Sequence, residues 1–134
     1  MNKIKFFISL TILFALTVAC SQFLNLKGET LYFCERYEFG KEIGKGNKFT
    51  TGTLTVMVDL RKENKKIGVS SVEINITDIN TGKVADTLPF EVKPDYDYIH
   101  FDDIKFNEPG KYKVSCIKKD GTVVSANLVE IVKK

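Results

Sequence analysis

The sequence is poor in the residues from which small catalytic and metal sites are usually built. It contains no Trp and a single His among 134 residues. One imidazole excludes metal centres that need several, and His100 has no obvious nucleophile beside it in sequence. No Gly-x4-Gly-Lys-Ser/Thr loop is present: in "GKEIGKGNKFTTG" the position that should hold the second Gly, counted from Gly40, is Lys45. The dinucleotide pattern Gly-x-Gly-x-x-Gly fails at Phe49, and no EF-hand spacing occurs. Charge of one sign is also missing. The net charge is +3, and Lys3 and Lys5 supply two of those charges. The rest of the chain therefore lacks the concentrated basic face of a nucleic-acid binder. Arg61, Lys62, Lys65 and Lys66 do cluster, but beside Asn64 and Gly68 they read as a solvated turn.

A sustained helical period is missing past residue 30. Period-two alternation replaces it, in runs that share one apolar face: Leu54, Val56, Val58 and Leu60; Val72, Ile74 and Ile76; Leu88, Phe90 and Val92; Ile99 and Phe101; Tyr112, Val114 and Cys116. Further runs lie in "TLYFCERY" and "NLVEIVKK". Turn signals separate them, including Asn80-Thr81-Gly82, Pro109-Gly110 and Asp120-Gly121. Seven short strands with frequent turns predict an all-β antiparallel sandwich. Pro89 lacks a ladder donor, which predicts an edge position for its strand. The segment 40–52 is expected to be a mobile loop between strands.

The N-terminus is different. Lys3 and Lys5 precede an uncharged run from Phe6 to Leu26 whose apolar part ends at Val18. A positive n-region, a short apolar h-region and a small residue before a cut describe a secretory signal. Leu16-Thr17-Val18-Ala19-Cys20 resembles the lipobox of bacterial lipoproteins, with Thr17 standing where that pattern usually has Leu. A retained membrane anchor and simple secretion are the alternatives. The resemblance implies removal of residues 1–19, lipidation of Cys20, a tether over 20–30 and a folded domain over 31–134. It also implies a bacterial cell-envelope location, with Ser21 favouring the outer membrane. The remaining cysteines, Cys34 and Cys116, are expected to form a disulfide in an oxidising compartment, or to remain buried thiols.

"NEPGKYKVSC" resembles the sixth strand of immunoglobulin-like and fibronectin-type sandwiches, where a Tyr hydroxyl bonds back to the preceding corner. Tyr112 would fill that role. The resemblance implies an immunoglobulin-like architecture without its usual core Trp.

For function, the acidic stretch "PDYDYIHFDD" is the most informative. Parity places Tyr98, His100 and Asp102 on the face opposite Ile99 and Phe101, while Asp95 and Asp97 fall in the preceding loop. A solvated acidic strand, a divalent-ion site and acid–base chemistry are the three readings of this stretch, in descending order. Tyr32, Tyr37, Tyr96 and Tyr98, with Phe39 and Phe49, are the aromatics able to form a binding patch. The candidate surface joins segment 40–52 to segment 94–103, with Tyr96, Tyr98, His100 and Asp102 as its named residues. The expectation is a membrane-anchored, non-catalytic binding or assembly module with no cofactor, no metal and no nucleic-acid partner. Its partner would be a protein or glycan of the envelope. A structural accessory protein without a discrete ligand is the alternative, and a small hydrolase the more distant one.

Overall fold

A computed structural model describes residues 30–134. The expected signal segment 1–19, the lipidation of Cys20 and the tether up to residue 29 lie outside the described residues. Among the described residues no helix is long and apolar enough to cross a membrane.

The fold is all-β. Its strands are β1 (Leu31–Cys34), β2 (Arg36–Glu38), β3 (Lys41–Ile43), β4 (Lys48–Thr50), β5 (Gly52–Asp59), β6 (Ser71–Asp78), β7 (Val84–Glu91), β8 (Tyr98–Phe106), β9 (Gly110–Lys118) and β10 (Val123–Val132). Among the described residues one 3-10 turn, Arg61–Glu63, interrupts them. Ten strands replace the seven expected. The three additional ones, β2, β3 and β4, are three residues each: β3 and β4 come from the segment 40–52 read as a mobile loop, and β2 from the end of the "TLYFCERY" run. Three residues are too few for a period of two to stand out.

The strands form a three-stranded sheet, β1-β5-β8, a five-stranded sheet, β4-β10-β9-β6-β7, and the small hairpin β2-β3. All pairings are antiparallel except β4 against β10. One apolar cluster draws on both main sheets, the arrangement of a β-sandwich. From the smaller sheet come Leu31, Phe33, Val56, Val58, Ile99 and Phe101; from the larger come Val72, Ile74, Ile76, Val114, Cys116 and Val129. The alternation in the sequence follows directly: every second side chain of a strand enters this layer. Each fully buried side chain of this kind contributes roughly 1.5–3 kcal/mol. Phe90 and Phe101 meet edge to face across the layer at 4.9 Å.

Two finer expectations concern β7 and Tyr112. β7, with Pro89, ends the five-stranded sheet. The Tyr112 hydroxyl donates to the Glu108 carbonyl at 2.8 Å, pinning the turn that leads into β9.

Candidate functional site

The site grows from the outer face of the three-stranded sheet. Leu31 and Phe33 of β1 point into the core, so Tyr32 and Cys34 point away from it. Register then aligns Tyr32 with Met57 and Met57 with His100. Cys34 lies opposite Thr55. A bulge in β8, where Asp103 adopts φ 58°, lets Asp102 reach the Thr55 hydroxyl. An ordinary solvent face would leave these side chains wet. Here Cys34, Thr55 and Met57 are buried although none belongs to the core between the sheets.

The cover is the β2-β3 hairpin. Its turn is Phe39-Gly40, with both residues at positive φ (52° and 73°), the geometry that matches strand twist in a two-residue hairpin. Tyr37 and Glu42 face each other across the hairpin and reach the sheet. Tyr37 stacks on the His100 imidazole at 4.3 Å and meets the Tyr98 ring edge-on at 6.0 Å. One oxygen of Glu42 accepts hydrogen bonds from both the Tyr32 and the Tyr98 hydroxyls, the latter at 2.6 Å. Burial and the Glu42 carboxylate push the Tyr98 phenol up to about 12, and the same two causes raise Tyr32 further. Both rings therefore remain proton donors at neutral pH.

Cations brace the rim. The Arg61 guanidinium lies 3.8 Å over the Tyr98 ring and forks onto Asp59 at 2.8 and 2.9 Å. These bonds hold the Asp59 carboxyl below its ordinary range. Lys45 sits 4.3 Å over the Tyr32 ring. Arg61 was read as part of a solvated turn; like Lys62, Lys65 and Lys66 it is exposed, yet its guanidinium is held by both Asp59 and the Tyr98 ring.

Polar chemistry on this face runs Thr55 to Asp102 to His100. The Thr55 hydroxyl donates to Asp102 at 3.2 Å, and the other Asp102 oxygen meets His100 Nδ1 at 2.9 Å. An activated hydroxyl needs the imidazole in the middle, taking its proton. Here the carboxylate stands between hydroxyl and imidazole, so the arrangement orients His100 rather than activating Thr55. Among the described residues no three His, Cys, Asp or Glu side chains gather closely enough to hold a metal ion.

The Cys34–Cys116 bridge does not form. Both are free, buried thiols. Cys116 lies in the core between the sheets, whereas Cys34 lies on the opposite face of β1, under the hairpin. A disulfide cannot span the thickness of a sheet without moving the backbone. Burial pushes the Cys116 thiol up to about 12, and burial followed by the Glu42 charge raises Cys34.

Of the four named surface residues, Tyr98, His100 and Asp102 come together. Tyr96 does not join them; it is 41% exposed and lines a neighbouring cavity of about 230 Å³ with Phe90, Tyr98 and His100. Among the other aromatics, Tyr32 and Tyr37 belong to the cluster. Phe39 projects from the hairpin tip, 98% exposed, and Phe49 packs against the core. The segment 40–52 divides: its first residues join the cluster through β3, while 48–50 leave to pair with β10. A cavity of about 650 Å³ lies beside β4, lined by residues such as Lys48, Phe49 and Thr51. It is open and includes none of the cluster's interlocked rings. Glu42, Thr55 and the Asp59–Arg61 pair were missed as site residues, because nothing local distinguishes them from surface polar residues. No family model, curated protein or solved structure matches this chain.

Proposed function

We propose that this chain is a lipid-anchored protein of the bacterial envelope whose immunoglobulin-like sandwich serves as a non-catalytic binding module. The lipobox-like Leu16–Cys20 supports the anchor, and Ser21 supports an outer-membrane location. The strand order, β4 running parallel to β10, and the Tyr112–Glu108 bond support the immunoglobulin-like description.

One observation carries the binding role: Tyr37, Tyr98 and His100 form one contiguous, interlocked ring cluster at the surface. A merely structural domain has no need of a dedicated hairpin that arranges rings on the outside of an already complete sandwich. Rigid aromatic side chains offer large contact area at low entropic cost, which suits a protein or glycan partner. The test is crosslinking in intact cells followed by recovery of the full-length chain. Tyr37→Ala/Tyr98→Ala should abolish the partner band seen with the wild type. Loss of a hydrolytic activity in His100→Ala/Asp102→Ala, with the partner band unchanged in the tyrosine variant, would overturn the reading.

A further inference from the structure

The edge strands β7 and β8 of the two main sheets border the same hollows, and their free edges differ in chemistry. On β7 the Asp86 carboxylate occupies the Thr87 N–H at 2.9 Å, and Pro89 has no N–H to offer. That edge is blunted against strand addition. On β8, nine residues long, the backbone finds partners only on β5 among the described residues. Its outer edge carries no proline, and the bulge at Asp102–Asp103 divides it into two pairing stretches, 98–101 and 104–106.

Two separate hollows lie between these edges, one towards each end. One, of about 230 Å³, is lined by Phe90, Tyr96, Ile99 and Phe101 together with Glu91 and His100. The other, of about 170 Å³, lies between Ala85 and Phe106. They flank β8 at residues 98–101 and 105–106, about 20 Å apart at strand rise. The charges lining the hollows are mainly acidic: Glu91 at the first, Asp86 and Glu108 at the second, against Lys105 alone. Asp102 and Asp103 on β8 add to that sign.

From this geometry we propose that β8 receives an extended, basic segment of a partner protein as an added strand. Main-chain hydrogen bonds to β8 supply the register. Two apolar side chains of the segment, about six positions apart, fill the two hollows, and its Lys or Arg residues face Asp86, Glu91 and Glu108. This rests on the reading of the chain as a binding module and specifies the partner as a peptide strand.

The test uses the full-length chain in detergent micelles and a nine-residue probe, matching β8 in length, with Phe at its second and eighth positions, Lys at its fourth and sixth on the same face, and Thr elsewhere. The probe should bind and slow hydrogen exchange at β8 amides. Methylating alternate backbone nitrogens of the probe should weaken binding by at least about tenfold, because it removes the strand's donors without changing its charge. Asp86→Lys/Glu91→Lys, both surface positions on β7, should weaken it similarly. An acidic probe of the same pattern should not bind. The proposal is overturned by absence of binding, by equal affinity of the methylated probe, by protection at β7 or the hairpin instead of β8, or by self-association of the chain through β8. If the probe fails while partner capture in cells still depends on Tyr37 and Tyr98, strand addition is wrong and the binding-module reading stands. If both fail, both are wrong.

Discussion

The two faces of the β1-β5-β8 sheet use the same strands for opposite purposes. The inner face is wholly apolar and joins the core through Leu31, Phe33, Val56, Val58, Ile99 and Phe101. The outer face carries Tyr32, Cys34, Thr55, Met57, Tyr98, His100 and Asp102 and is covered by a hairpin that the core does not require. Inner contacts are non-directional and scale with buried area. Outer contacts are directional: two phenols on one carboxylate oxygen, a stacked imidazole, a guanidinium over a ring. A face stabilised mainly by area holds the fold together. A face arranged by direction fixes where particular groups sit, which is what recognition requires.

That contrast can be broken or sharpened by substitution. Phe101→Ala on the inner face should cost about 3–5 kcal/mol in chemical denaturation, from lost transfer energy and an unfilled cavity. A cost near that of a surface change would mean that the core is not where the contact pattern puts it. Glu42→Ala on the outer face should cost less, about 1–3 kcal/mol, because two partly buried hydroxyls lose their acceptor. Its signature should be local, with faster hydrogen exchange in β2-β3 and unchanged exchange in β6 and β9.

The pH response sharpens the same distinction. The folded state keeps the Tyr98 proton up to about 12, whereas an unfolded tyrosine releases it near 10. The folded state thus binds more protons in that window, so this contribution is intact below pH 10 and is lost as pH rises towards 12. Tyr98→Phe should flatten that part of the stability profile; an unchanged profile would contradict the bond to Glu42. The smallest effect concerns the thiols. Neither Cys34 nor Cys116 should react with an alkylating reagent in the native protein, and both should react after unfolding without reductant. In Glu42→Ala, Cys34 should become reactive while Cys116 stays protected. A pair that reacts only after reduction would restore the disulfide.

Much of the inner face was legible in the sequence, because long strands declare themselves by alternation. Val72, Ile74 and Ile76, or Tyr112, Val114 and Cys116, need only a period of two to be placed. The expected face for Tyr98, His100 and Asp102 followed from the same rule. The hairpin was not legible. "RYE" and "KEI" are too short for a period, and the positive φ of Phe39 has no sequence mark, since bulky residues rarely adopt it. Glu42 is one of many glutamates until register sets it beside two phenols. The disulfide expectation overlooked a signal that was present: Leu31 and Phe33 are the inward positions of β1, so Cys34, one residue on, faces outward and away from Cys116. The two strand edges also depend on topology, because no local pattern shows that β7 and β8 border the same two hollows.

The central claim is that the side of the sandwich bearing the hairpin and β8, not the exposed face of β6, meets the partner. Its most direct test places a photo-crosslinking amino acid at Phe39, the exposed hairpin tip, and separately at Glu73 on the exposed side of β6, in full-length protein within living cells. The account predicts a discrete crosslinked product from position 39 that disappears when Tyr98→Ala is added, and no product from position 73. Equal products from both positions, or a product from position 73 alone, would contradict it.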